Sequence, residues 1–590
     1  MKRILLLSLC LLCASFLFSQ SIMKVSEIKV GMEGTGKTIF KGTRVEEFKF
    51  RVLGILENVL APGKHAIWVE LISPDLEEAG VIEGMSGSPL YIDGKIIGAV
   101  AFGFTFAKKP IAGITPIEDI IKTNEYNSPT VMIDISRMQI KMDKEAVEKI
   151  AGLITSELER RTHFSTLKEM TPIRLIPSGR GLSPSALSLL KPVLGQSAIA
   201  ASTSKTLAGE ALPRDLFKIS AADAVAVPLI RGDFEFSFSG TVTYIDGKTA
   251  YLFGHPLLNL GNVDFPLHKA EIITVFPSYN SSFRLTATKN MIGAVVQDRF
   301  SAVQAELGRS PYMIPLKVFL KDRNRTFNIE MVNHPLLTPM LTFISLASIF
   351  SAEYLDGGFQ SLDVKGKIFI ENEKNVIIDD LFSGETPVDD FTGLMLAVNF
   401  FLMNNPEKSI KIQKIDFEIS SIEAMRRAEI ENVVLNKSTF EPGDVVNITV
   451  YLKNERGGRV VEEVAFAAPN LSPGANFYLL VADKEEIGKF DARNVKTNYF
   501  PTSLNLLINA INNLRKNNRI YFKLLTETQG LFIKGHEYAN LPLGLQNMFL
   551  FNTATKEQSK VKYSTISEYQ LEIPAMVVGS KLFKLKIKER

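Results

Sequence analysis

The stretch Gly80–Val100, GVIEGMSGSPLYIDGKIIGAV, decides how the chain reads. It opens with an apolar pair and bends tightly through Gly84-Met85-Ser86-Gly87-Ser88-Pro89. An alternating strand, Leu90-Tyr91-Ile92, then turns at Asp93-Gly94 into a second apolar strand, Ile96 to Val100. Asp-Gly between two apolar runs is a hairpin signal, because glycine takes the positive φ of the tight turn without steric cost. A serine framed by small residues ahead of a hairpin suits a nucleophile. With no bulky neighbours, the amides of Gly84 and Ser86 can aim at one point and hold a developing oxyanion. The competing reading is a tight turn whose serines bond only the local backbone. The pattern is not the Gly-x-Ser-x-Gly elbow, since position 88 is serine and no helical pattern follows.

Just upstream, Gly31-Met-Glu-Gly-Thr-Gly36-Lys37-Thr38 fits the phosphate-loop pattern G-x-x-x-x-G-K-[ST] letter for letter. That loop works only between a strand and a helix N-terminus, where amides and dipole meet the phosphates. Here the alternating VEEFKFRVLGIL follows, which is β rather than helical. The expectation is a turn feeding a strand, with no nucleotide bound through Lys37. Ala66 to Ile72 reads as a further strand, broken by Ser73-Pro74-Asp75 just before the serine loop.

The whole chain sets wider bounds. Its 590 residues give room for several domains, and 46% hydrophobic with 22% charged residues is ordinary for globular protein. A net charge of +3, without a Lys/Arg block, gives no argument for nucleic acid. The N-terminus, MKRILLLSLCLLCASFLFSQS, places Lys2 and Arg3 before an apolar run to about Phe18. That reads as a secretory signal peptide over residues 1–20, cleaved near Ser19 to Ser21, with an uncleaved anchor as the alternative. A lipoprotein signal fits less well, because leucine directly precedes Cys10 and leucine also precedes Cys13. Those are the chain's two cysteines, so the exported protein is expected to lack disulfides, thiolate nucleophiles and cysteine-bound metal.

Downstream, IAGITPIEDII (111 to 121) predicts a helix starting at Thr115-Pro116, with proline at its first position and acids in its first turn. Residues 126–222 read as a helical connector containing the amphipathic KEAVEKIAGLITSELERR, 144 to 161. From Asp223 the pattern is dense in short strands and turns: DAVAVPLIRGDFEFSFSGTVTYIDGKTAYLFGHPLLNLG, the signature of a small barrel. His255 follows its last strand, held between a permissive glycine and a rigid proline at the barrel rim. Leu336–Phe350 and Phe391–Met403 read as packed helices too short to span a bilayer. From about 425, strands with Pro-Gly and Asn turns at sandwich spacing suggest a β-sandwich.

Two blocks now stand together: GMSGSPLYIDGKIIGAV and GTVTYIDGKTAYLFGHP. The first is similar to the Gly-Asp-Ser-Gly-Gly-Pro loop of chymotrypsin-like proteases, with Met85 for Asp and Ser88 for the second Gly. The pair resembles the sporulation protein IV B type of serine peptidase, a chymotrypsin-related family, over residues 24 to about 120 and 223 to about 320. The resemblance implies Ser86 as nucleophile and His255 as general base. It also implies Asp75 as orienting acid, with Asp298 and Glu70 as rivals, and Gly84 with Ser86 as oxyanion hole. In that family the histidine half precedes the serine half; here it follows, and no PDZ module is visible. Triads are defined by geometry and tolerate different chain orders.

The expected architecture is mainly β with α+β parts. A permuted, chymotrypsin-like two-barrel core comprises a serine half (21–125) and a histidine half (223–330), joined by the 126–222 connector. An α/β segment (331–422) and a sandwich-like accessory domain (423–590) follow. The expected activity is an exported serine endopeptidase acting on protein or peptide without cofactor, periplasmic, secreted or associated with the envelope or membrane. The alternative is a non-catalytic envelope scaffold or binding protein on the same fold. Of the other histidines, His65, His163, His334 and His536 lie singly. His268 with His255 and Asp264 matches no ligand spacing for a metal.

Overall fold

The computed structural model describes residues 21–104, 107–125, 130–136, 138, 140, 142–162, 170–173, 175–190, 200–201, 219–354, 360–495, 501, 503–527, 530–533, 536–539, 541–551 and 558–589. The expected signal peptide lies outside them. The chain divides into two compact units. The first runs to Val131 and resumes over Leu153–Met313 and Glu330–His334; the second takes the remainder.

The first unit contains two closed antiparallel rings. In the first ring, β1 (Glu33–Thr38), β2 (Glu46–Ala61), β3 (Lys64–Ile72), β4 (Pro89–Ile92), β5 (Lys95–Phe104) and β6 (Ile111–Pro116) pair in the order β4-β1-β2-β3-β6-β5. A β4–β5 ladder closes it. Alternation builds it: Phe48, Phe50 and Val52 of β2 point inward while Lys49 and Arg51 face solvent. The inward rings explain the glycines of the phosphate-loop-like string. Gly34 and Gly36 lie opposite Phe50 and Phe48, and a Cβ at either would fall 2.6 or 2.2 Å from those rings. The string is therefore a turn and strand β1, with Lys37 paired to Glu47 on the neighbouring strand. The hairpin turn has positive φ at both Asp93 (51°) and Gly94 (75°), as an Asp-Gly turn requires.

Two local expectations are corrected. Ser73-Pro74-Asp75 does more than break β3: the Ser73 hydroxyl accepts from the Leu76 amide and caps a short helix, α1 (Pro74–Ala79). Thr115-Pro116 ends strand β6, and the helix α2 (Ile117–Ile121) starts only after the proline. Pairing with β3 and β5 outweighs the local helix signal.

Helix α3 (Lys144–Thr162) covers the amphipathic stretch of the connector. Two short strands follow, β7 (Met170–Pro172) and β8 (Ile176–Arg180), with β8 also touching the two-residue β9 (Ala200–Ala201) in parallel. The second ring comprises β10 (Ala224–Gly232), β11 (Glu235–Asp246), β12 (Thr249–Leu252), β13 (Gly261–Phe276), β14 (Phe283–Arg299) and β15 (Ala302–Leu307). Its order is β10-β13-β14-β15-β12-β11, closed by β10–β11. Closure leaves no free edge within either ring, so added strands attach at the rims.

In the second unit, β16 (Gln360–Ile370) pairs antiparallel with β17 (Val376–Gly384) and β18 (Ile412–Ile422). The buried helices Leu337–Glu353 and Pro387–Met403 fall where the apolar runs placed them. Beyond residue 425, a four-stranded and a five-stranded sheet share one core. Val446, Ile448 and Val450 of the first belong to the same cluster as Phe477, Leu479 and Phe522 of the second. The fold is thus mainly β, 49% strand to 21% helix, with a chymotrypsin-like pair of barrels and further β structure after it.

Candidate active site

The serine loop Gly84–Pro89 joins α1 to β4 on the first ring and packs against β11 and β12 of the second. The Thr241 amide donates to the Ser86 carbonyl (2.9 Å), and the Thr243 hydroxyl donates to the Gly87 carbonyl (2.9 Å). Residue 87 must be glycine. Its φ is +94°, and a Cβ there would lie 2.1 Å from the Thr241 carbonyl oxygen and 2.6 Å from the Phe253 nitrogen. The chain around His255 is equally constrained. Phe253 and Gly254 both have φ of 69°, an uncommon conformation for a buried phenylalanine. Thr115 of β6 donates to the Gly254 carbonyl at 2.6 Å. The serine loop and the histidine turn, far apart in sequence, thus meet on one seam.

Polar side chains fix the loop from beneath. Arg284, fully buried, donates to the Gly84 carbonyl (3.0 Å) and to the Thr38 hydroxyl. Thr38 meets the Ser88 hydroxyl at 2.8 Å, and Ser88 donates to the Met85 carbonyl at 2.6 Å. Because the guanidinium only donates, the hydrogen bonds run one way, Arg284 to Thr38 to Ser88 to Met85. Burial without a carboxylate pulls the Arg284 guanidinium down to about 9. The Glu83 carbonyl is held by the Arg284 amide (3.3 Å). In a trans peptide the N–H points opposite the C=O, so pinning the carbonyls of Glu83 and Met85 turns the amides of Gly84 and Ser86 the other way. Neither amide donates to a protein acceptor among the described residues.

Ser86 and His255 are both buried, at 0% and 3% exposure. The Ser86 Oγ and the His255 Nε2 each lack a hydrogen-bond partner, so they are not bonded to each other. Buried polar groups are rarely left unpaired, and two on adjoining loops mark this seam. His255 Nδ1 lies 2.8 Å from the Pro256 carbonyl. A carbonyl only accepts, so Nδ1 carries the proton and Nε2 the lone pair. Burial is the main cause that lowers the His255 pKa, to about 4, against the raising effect of the Pro256 and Ile173 carbonyls.

The acids fall elsewhere than at the imidazole. Asp75 sits exposed in the first turn of α1, and Glu70 pairs with Lys109 at 2.7 Å. Asp298, fully buried, accepts from the amides of Leu257 (2.7 Å), Leu258 (2.8 Å) and Leu260 (3.1 Å). It ties down the turn that carries Pro256 rather than touching His255. Burial raises its pKa to about 6 despite those amides. His268 Nδ1 faces the Lys289 carbonyl while Asp264 pairs with Arg309, so the two are engaged separately.

Sequence reasoning missed Arg284 and Thr38. A signal existed: in Phe283-Arg284-Leu285-Thr286-Ala287-Thr288, arginine and two threonines alternate on a single strand face, and all three are buried.

Two closed six-stranded rings with a serine loop and a histidine turn on their seam define a chymotrypsin-like architecture. Residues 17–118, the serine-bearing part, match the model of the SpoIVB peptidase S55 family. The match marks that part as serine-peptidase-like; it ends before the histidine block. No curated protein and no solved structure matches the chain.

Proposed function

We propose that the protein is an exported serine endopeptidase. His255 Nε2 takes the Ser86 proton as Oγ attacks a peptide carbonyl, and later returns it to the leaving amine. The amides of Gly84 and Ser86 receive the oxyanion, each donor of this kind being worth about 3 kcal/mol. The Pro256 carbonyl fixes the imidazole tautomer, the task an acid performs in a triad, and Asp298 holds the turn on which that carbonyl sits. Protein or peptide is the substrate, and no cofactor enters. The observation that carries this reading is the pair of buried, unpartnered groups, Ser86 Oγ and His255 Nε2, on loops packed together.

The test is prolonged incubation with a fluorophosphonate, followed by mass spectrometry. Label on Ser86 that is lost in Ser86→Ala and strongly slowed in His255→Ala supports the peptidase. Label that persists in Ser86→Ala, or none under any condition, favours the scaffold reading.

A further inference from the structure

The short strand β7 does not belong to either ring. It pairs antiparallel with β5, the strand that emerges from the serine loop's own hairpin, with Phe102 opposite Pro172, Gly103 opposite Thr171 and Phe104 opposite Met170. The ladder continues one step further, the Ile173 amide donating to the Ala101 carbonyl at 2.8 Å. Ala101 in turn packs on the histidine turn, its Cβ 3.3 Å from where a Cβ on Gly254 would sit, and the Ile173 carbonyl raises the His255 pKa as a hydrogen-bond acceptor. Beyond it, β8 attaches to the other barrel through β11, with Ile176 opposite Ser239 and Arg180 opposite Glu235. The chain is therefore stitched to both rings, to the first through residues 170–173 and to the second through residues 176–180.

A peptide cut at this seam has to lie extended along a strand, with one carbonyl at the imidazole and nucleophile. Residues 170–173 lie that way. Their ladder to β5 is made by main chain, which any extended sequence can reproduce, while side-chain sites confer selectivity. One such site is filled: Ile173 is buried at 5% exposure in the core cluster of the first ring, 3.5 Å from where a Cβ on Gly103 would sit. The Thr171 side chain faces solvent. A strand laid here would account for a serine hydroxyl and an imidazole nitrogen that are both buried without a partner among the described residues.

The geometry points to Met170–Ile173 as a tethered pseudo-substrate, a strand of this chain occupying the groove that an extended peptide with an apolar residue at the Ile173 position would take. This rests on the peptidase reading. A tethered strand competes at an effective concentration set by its short attachments, so an incoming peptide gains the groove only from the fraction of molecules in which β7 has lifted. The sealed state is latent, and its activity is set by that fraction.

The experiment compares Ser86 labelling rates by fluorophosphonate in the full chain, in Thr171→Pro and in Ile173→Ala. The proline removes an amide from a paired strand at an exposed position; the alanine removes the buried anchor. Hydrogen exchange at residues 101–104, read on whichever variant keeps its fold, reports whether β7 has left β5. The expected result is labelling faster by about tenfold or more in a variant that loses protection there. Equal rates in the full chain and in an unprotected variant overturn the pseudo-substrate and leave the peptidase standing. Full protection loss in the unmodified chain overturns it as well. No label on Ser86 in any variant overturns the peptidase reading, and this inference with it.

Discussion

Replacing Gly87 with alanine tests the seam directly. The new Cβ would stand 2.1 Å from the Thr241 oxygen, 2.6 Å from the Phe253 nitrogen and 2.9 Å from the Phe253 Cα. All three are backbone atoms at the rim of a closed ring and do not rotate away. The loop must lift, stretching the Thr241 to Ser86 hydrogen bond. Left-handed φ costs a residue with a Cβ about 1–2 kcal/mol, and the overpacking about 1–3 kcal/mol more. The strained hydrogen bond adds about 1 kcal/mol. Reduced freedom of the unfolded chain returns less than about 1 kcal/mol, leaving a net loss of about 4 kcal/mol. The chain has a single tryptophan, Trp68, stacked on Phe104 at 4.7 Å in the first ring, so its fluorescence reports unfolding of that ring. With a urea dependence of about 3 kcal/mol per molar, the midpoint falls by more than about 1 M. Gly94→Ala is the control: its φ is +75° but nothing lies within 4 Å of the added Cβ, so only the backbone strain applies. Equal shifts for the two variants, or a Gly87→Ala shift within error of zero, would refute the steric account.

Asp298→Asn keeps one acceptor oxygen and turns an NH2 group toward backbone amides. It is expected to destabilise the first unit by about 2 kcal/mol, measured by the same titration, and to slow Ser86 labelling through a looser Pro256 turn. Acid sensitivity follows from three buried histidines. Burial lowers His255 and His268 from 6.5 to about 4, and His334, also beside Arg161, to about 3. The unfolded chain binds those protons first, so stability falls as pH drops below 6.5 and continues to fall until the folded histidines protonate. Carried down to the folded values, the loss is about 3 kcal/mol each for His255 and His268 and about 5 kcal/mol for His334. Asp298 acts oppositely: raised from 3.8 to about 6, it takes its proton first in the folded state and adds stability as pH falls through that window. Urea midpoints between pH 7 and pH 4.5 should therefore drop overall, and drop less steeply in His334→Gln; a flat profile would contradict this.

Some of this was legible in order along the chain, and some was not. The hairpin at Asp93-Gly94, the strand density after Asp223 and the two apolar helices of the second unit are local patterns. Period, turn chemistry and run length specify them without reference to distant residues. Ser86 and His255 stood out because small or rigid neighbours frame them. The glycines of Gly31–Thr38 were readable only as turn or strand formers; that Phe48 and Phe50 cover two of them depends on the register between β1 and β2. The acid was beyond sequence, because Asp75, Glu70 and Asp298 are equivalent as letters. Burial and three backbone amides distinguish Asp298, and they place it behind the turn rather than behind the imidazole.

The sequence by itself determined the elements, the two motif loops and the mainly β class, since these follow from spacing over a few residues. Ring closure, the Arg284 to Met85 relay and the pairing of Met170–Pro172 with β5 were decided only in three dimensions. Each depends on groups from separate stretches of chain arriving at one place, where removal from water makes every unpaired donor and acceptor costly.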